Sequence, residues 1–388
     1  MRERQGLVLW DTFFILWFLT EAWFQHTLIG TIGQALFMLY SLYQCAITKK
    51  FHWSVLFFAY GLFAAACIGN LYLGYAKFPL QSAQMVGVVV RNFVFLYFLY
   101  LYVLKTGSQK FLKVLTITSC IASLGVLLIF FINTGSFYLH DEDSLGIINA
   151  NIQSVIDGFV IAWLIVSKKY KGKYLYAILF LFVFILLSGT RKSIITIAVI
   201  VGGFMMLRNA KNILRNAVIV LILFVALYFI LMKIPAVYDM IGNRFESLFS
   251  FMEGGDTDDS TKTRDRFIEY ALLFWADSPI WGNGLNSFGI LYGIEDTYSH
   301  NNYVELLCSV GLVGMVSYYL MYLFSLFKLI TIKKNREIFT FTLCLIISFL
   351  ITDYALVSYF ERIMLVPIVL IYVLLEEGKT SKMVLAHC

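Results

Sequence analysis

Charge is what this chain is short of. Only 14% of its 388 residues are Asp, Glu, Lys or Arg, whereas 60% are hydrophobic; a soluble domain carries roughly a quarter charged residues. With a mean hydropathy of +0.80, the surplus apolar surface is expected to face a lipid bilayer. Only four prolines and 26 glycines are present, which excludes a disordered or fibrous chain. The cysteines Cys45, Cys67, Cys120, Cys308, Cys344 and Cys388 form no C-x-x-C pair, so neither a zinc site nor a disulfide framework is expected. No metal and no cofactor is expected. There is no basic tail or basic helix, no internal repeat and no low-complexity segment, and nucleic acid is not an expected partner.

What is present is a recurrence of apolar segments. About twelve of them approach the ~20 residues needed to cross hydrocarbon, near 7–24, 27–47, 52–69, 81–104, 112–132, 148–167, 174–188, 193–207, 216–233, 303–327, 338–352 and 359–375. The 174–207 region can also be read as a tight hairpin. The expected fold is all-α: a single polytopic membrane domain over residues 1–388, with about twelve transmembrane helices and one large extracytoplasmic loop at 234–302. The first apolar stretch holds Asp11 and Glu21 and no small-residue cleavage site, so it reads as a retained span rather than a signal peptide.

Lysine and arginine orient this array. With Arg2 and Arg4 in the cytoplasm, alternate connections carry Lys49 and Lys50; Lys105, Lys110 and Lys113; Lys168, Lys169, Lys171 and Lys173; Arg208, Lys211 and Arg215; Lys328, Lys333, Lys334 and Arg336; and Lys379 and Lys382. That is the positive-inside pattern. Both termini are therefore expected in the cytoplasm, in a multi-pass protein of the cytoplasmic (inner) membrane. The cations that defy the pattern ask for another reason: Arg191, Lys192, Arg244, Lys262, Arg264 and Arg266 on the outside, and Arg91 within a span. Arg91 is expected to face the bundle interior, contacting substrate phosphates or pairing with Asp157 or Glu305.

The outer loop has three parts. Residues 238–251 place Ile241, Phe245, Leu248, Phe249 and Met252 on one face and predict an interfacial helix. The acidic turn that follows, with Asp256, Asp258 and Asp259, lacks the glycine and glutamate of a calcium loop. A second amphipathic helix is predicted over about Thr261–Asp277, led by Lys262, Arg264 and Arg266. Cations there oppose the helix dipole by a few tenths of a kcal/mol each, a placement better explained by an anion at the helix start. The segment closes with Pro279-Ile280-Trp281-Gly282-Asn283-Gly284 and Tyr298-Ser299-His300-Asn301-Asn302-Tyr303-Val304-Glu305. Gly282-x-Gly284 reads as a turn that lets backbone approach a ligand or a neighbouring helix.

At these residues the chain resembles the O-antigen polymerase and O-antigen ligase family of bacterial membrane glycosyltransferases. Four places carry the resemblance, in order over roughly 144–320: Gly146-Ile-Ile-Asn149-Ala-Asn151; Ser188-Gly-Thr-Arg191-Lys-Ser193; the arginine-led helix ending in Pro279-x-x-Gly282-x-Gly284; and His300-Asn301-Asn302-Tyr303-x-Glu305 before Gly311-Leu-Val-Gly314. The resemblance implies transfer of an oligosaccharide from an undecaprenyl diphosphate carrier to an acceptor hydroxyl, with no nucleotide sugar and no metal. It also implies arginines on the diphosphate and the loop histidine as a candidate base.

The chemistry of the residues agrees. Arginine is always charged and grips phosphate oxygens bidentately, and histidine suits proton transfer near neutral pH. The expected catalytic residues are His300, Arg191, Arg264 and Arg266, with the choice between Arg264 and Arg266 open. The expected substrate-binding residues are Arg91, Asn149, Asn151, Gly282, Gly284, Asn301, Asn302 and Glu305. The plainer reading of His300 is an interfacial histidine hydrogen-bonded to backbone. Asp353 and Glu361 are expected to pair with Arg362.

The first functional reading is a polymerase that joins lipid-linked repeat units into a surface polysaccharide (O-antigen, capsule or exopolysaccharide). A flippase and a chain-length regulator of the same pathway would be its partners. The second is a ligase that moves glycan onto a lipid or protein acceptor. The third, of another class, is a polysaccharide transporter or flippase. The concentration of charge in one outer loop, rather than at the midplane of broken helices, argues against the third.

Overall fold

A computed structural model describes residues 2–25, 27–48, 52–137, 139, 150–208, 212–233, 238, 246, 259–295, 297–333 and 335–379. Among them the regular structure is helical. The helices are α1 (Arg2–Trp23), α2 (Leu28–Thr48), α3 (Val55–Tyr72), α4 (Pro79–Thr106), α5 (Ser108–Thr134), α6 (Ala150–Val166), α7 (Lys173–Ser188) and α8 (Arg191–Ile197). After a π-turn at Ala198–Gly202 come α9 (Gly203–Arg208), α10 (Ile213–Lys233), α11 (Asp259–Ala276), α12 (Phe288–Tyr292), α13 (Asn302–Leu329), α14 (Arg336–Asp353) and α15 (Leu365–Lys379).

Each of the twelve apolar segments contains helix among its described residues. Five stretches are long and apolar enough to cross a membrane: Gly6–Trp23, Val55–Tyr72, Pro79–Thr106, Ser108–Thr134 and Asn302–Ile332. The interfacial helix expected at 238–251 and the aspartates Asp256 and Asp258 lie outside the described residues. The second amphipathic helix of that loop is α11, which starts two residues before its predicted Thr261.

Aromatic rings fill the core. Trp17 and Phe95 approach to 4.5 Å between centroids, Phe14 stacks on Tyr102 at 5.0 Å, and Phe63 meets Tyr318 edge-on at 5.2 Å. The outward faces of α2 and α10 keep Leu28, Leu39, Leu214 and Leu221 exposed, as lipid-facing helices do when no hydrophobic driving force separates them from their surroundings.

The bundle has two chemically different ends. At one, cations meet carboxylates or amides between helices. Lys110 reaches Asp11 at 2.7 Å, Lys328 reaches Glu376 at 3.2 Å, Arg208 pairs with Glu337, and Lys169 donates to Gln109 at 2.7 Å. The opposite end is built by the Asn151 region, the α7–α8 turn, α11 and the start of α13, and it holds the candidate site.

Candidate active site at one end of the bundle

His300 sits in a turn whose geometry is fixed from several sides. Its φ of +56° is uncommon for a residue with a side chain. Directly after it, the Asn301 carboxamide accepts from the backbone N–H groups of Tyr303 (3.0 Å) and Val304 (3.3 Å) and so caps α13. From the next turn of α13, buried Glu305 reaches back. Its Oε2 accepts from the Ser299 N–H at 2.8 Å, and Ser309 donates to its Oε1 at 3.4 Å. The Ser299 hydroxyl adds a bond to the Asn301 carbonyl at 3.0 Å. Glu305 and Asn301 thus hold the turn that presents the imidazole.

The ring stacks on Phe267 of α11, 5.9 Å between centroids and 6° from parallel, and Tyr298 lies 4.4 Å from it, tilted by 49°. Burial, then the positive charges of Arg264 and Lys192, push the imidazole pKa from 6.5 down to about 3. Neither ring nitrogen hydrogen-bonds to another described residue, so the backbone-bonded alternative is not the arrangement here. A neutral imidazole keeps an acceptor nitrogen that no described residue engages.

Helix periodicity separates the two arginines. Arg264, Phe267 and Ala271 share one face of α11; Phe267 and Ala271 are buried, Arg264 is half-buried and Arg266 is exposed. The charge that bears on His300 is that of Arg264. Lys192 supplies the second charge, and it was not among the residues singled out as catalytic. The available signal was its place beside Arg191 among the cations that break the inside rule.

Arg191 is the first residue of α8 and is half-buried. The turn before it is tied to α6. Thr190 donates to the Asn151 side-chain oxygen at 2.7 Å, Ser193 bonds Ser154 at 2.9 Å, and a Cβ on Gly158 would lie 2.8 Å from the Ser193 carbonyl. The motif around Asn151 and the one around Arg191 are therefore one unit. Asn149 lies outside the described residues.

Gly282 and Gly284 explain a break in α13. Gly311 has φ +63° and ψ −165°, which interrupts the helix. Into that gap runs the 279–284 turn. Asn283 and Gly284 donate to the Cys308 and Ser309 carbonyls (2.8 Å each), and Leu312 and Val313 donate back to Pro279 (3.0 Å) and Ile280 (3.1 Å). A Cβ at Gly282 would stand 2.6 Å from Gly311 N. The close backbone approach read from Gly282-x-Gly284 is thus made to a neighbouring helix. Asn302 turns inward as well: its Oδ1 accepts from Ser358 N (3.0 Å) and Tyr359 N (3.2 Å), and its Nδ2 donates to Tyr319 at 3.0 Å.

Two expected pairings are corrected. Arg91 feels the charges of Glu21 and Arg362, not those of Asp157 or Glu305. Arg362 forms its buried ion pair with Glu21 at 2.8 Å, rather than with Asp353 or Glu361. Asp353 instead accepts from Ser358 at 2.6 Å and Tyr319 at 3.0 Å, and Glu361 accepts from Gln25 at 2.5 Å. In both cases Glu21 of α1 supplies the charge that sequence separation hides. No group of three or more His, Cys, Asp or Glu side chains that could hold a metal occurs among the described residues.

Residues 176–319 match the family model described as O-antigen ligase. No curated protein matches the chain. The matched interval holds α7 to α12 and the first half of α13, and with them His300, Arg264, Lys192 and Arg191. Over that interval the chain is similar to the family described as O-antigen ligase.

Proposed function

We propose that this protein is a membrane glycosyltransferase that polymerises undecaprenyl-diphosphate-linked oligosaccharide repeat units into a surface polysaccharide, on the outer side of the cytoplasmic membrane. One observation carries the reading: a neutral imidazole at His300, held with two cationic side chains, Arg264 and Lys192, close enough for their charge to act on it.

In the proposed reaction the acceptor hydroxyl gives its proton to His300 as its oxygen bonds to the anomeric carbon of the donor. The bond between that carbon and the diphosphate breaks, and the electron pair leaves on undecaprenyl diphosphate. Arg264, Lys192 and Arg191 receive that developing charge; donors pre-aimed at such charge are worth about 10²–10³ in rate each. Burial, and after it the same cations, make His300 a poor base in the free protein. A bound diphosphate offsets their charge, so the imidazole gains basicity when donor is present. Asn301 and Glu305 hold the turn, and the Asn151–Thr190 bond holds the start of α8. Lipid carrier, sugar transfer and independence from metals all belong to this proposal.

A second reading, glycan ligation onto a separate lipid or protein acceptor, is favoured by the description of the matched family. Purified protein in liposomes decides between them. A polymerase turns lipid-linked oligosaccharide alone into a ladder of longer products; a ligase makes product only when a distinct acceptor is added. Neither product with either substrate set would end the transferase reading.

A further inference from the structure

The centre of α6 contains a carboxylate that the proposed reaction does not use. Asp157 is fully buried, midway along an apolar helix that packs on α5. Its Oδ2 accepts from Ser123 at 2.6 Å and its Oδ1 from the Gln153 amide at 2.8 Å. Ser119, one helical turn from Ser123, also faces it. No Lys, Arg or His acts on its charge among the described residues. A carboxylate at this depth without a cationic partner is costly and is neutralised in some way.

Two further buried oxygens lie at the same place without a hydrogen-bond partner: Gln153 Oε1 and Ser119 Oγ. Gln153 is 1% exposed and Ser119 0%. A proton on Asp157 supplies one donor, directed at a single oxygen. A cation takes both, because it binds oxygen lone pairs from every side. The donor set is entirely hard oxygen (carboxylate, two hydroxyls and an amide carbonyl), which selects hard cations over soft ones. A single negative charge in an apolar setting matches a single positive charge.

We propose that Asp157, Ser119, Ser123 and Gln153 form a binding site for a monovalent cation, sodium, between α5 and α6. The ion neutralises Asp157 and ties the two helices together. It stands next to the reactive end as well. Ser154 and Gly158, neighbours of Gln153 and Asp157 on α6, make the contacts with Ser193 that seat α8 and its leading Arg191. The site is argued from its oxygens alone and does not depend on the transferase reading.

The test compares thermal unfolding of the purified full chain in sodium chloride and in choline chloride at equal ionic strength. It is paired with binding of radioactive sodium to the wild-type protein, competed by unlabelled sodium chloride or by choline chloride. Sodium is expected to raise the wild-type melting temperature by several degrees, with a smaller rise in Ser119→Ala and none in Asp157→Asn. Bound label should be displaced by sodium and not by choline. Equal wild-type melting temperatures in the two salts, with no displaceable label, would overturn the site and leave Asp157 neutralised by a proton. Should Asp157→Asn fail to fold, the wild-type comparison and Ser119→Ala still decide. Loss of sodium binding with intact glycosyl transfer, or the converse, separates this proposal from the enzymatic one.

Discussion

The lysine-rich end and the imidazole site use positive charge differently. At the lysine-rich end, cation–carboxylate contacts join one helix to another, as Lys110 does with Asp11 and Lys328 with Glu376. At the other end, Arg264 stands on the polar flank of α11 with no carboxylate in ion-pair distance among the described residues, and its charge and that of Lys192 fall on a neutral imidazole. The first arrangement is electrostatic closure between helices. The second sets the Arg264 charge where an anionic ligand can meet it. The same residue types thus mark topology at one end and chemistry at the other, and only the company they keep tells them apart.

Substitutions at the site end should have the largest effects on activity. His300→Ala is expected to lower glycosyl transfer by about 10²–10⁴-fold, read as product formed by purified protein, with the melting temperature little changed. Arg264→Ala should cost about 10²–10³-fold. Arg266→Ala, on the exposed face, should stay within a few-fold. Equal losses for the two arginines would contradict the division of α11 into a site face and a solvent face.

The interior pair should dominate stability instead. Arg362→Ala leaves Glu21 buried and uncompensated, a change worth about 3–5 kcal/mol and measurable by unfolding in detergent. Next comes acid sensitivity. The folded pKa of His300, about 3, lies below its ordinary 6.5, so between those values the unfolded chain binds the extra proton. Stability should therefore be fully present above that window and decline as pH falls through it. His300→Gln should flatten this part of the profile; an unaltered profile would mean the ring is not held neutral. Smallest is the closed end: Lys110→Ala should cost under ~1 kcal/mol, because its partly exposed pair with Asp11 is screened by solvent.

Much of the fold was legible because its signal is local. Each expected apolar run contains helix, and five stretches are long and apolar enough to cross a membrane. The site was legible where unusual residues sit close in sequence. His300, Asn301 and Glu305 act within one turn, but the choice between Arg264 and Arg266 stayed open in the sequence, because it takes the contact of Phe267 with His300 to show which face of α11 turns inward. What stayed hidden depends on contacts across the chain. Nothing local says that Glu21 will meet Arg362 or that Gln25 will meet Glu361, because helix packing decides which faces oppose. The role of Gly282-x-Gly284 was left between a ligand and a neighbouring helix, because the break at Gly311 that receives it is visible only once α13 is built. Lys192 is not singled out as a site residue by the sequence, because nothing local to the α7–α8 turn says that its charge will fall on His300.

The central claim is that His300, Arg264 and Lys192 form one anion-receiving site. Its most direct test is the titration of His300 by NMR in histidine-labelled protein, assigned with His300→Gln, with and without inorganic pyrophosphate. The account predicts an imidazole that titrates far below the ordinary histidine range, moves upward when pyrophosphate is added, and loses that response in Arg264→Ala. A titration near 6.5 that pyrophosphate leaves unmoved would contradict it.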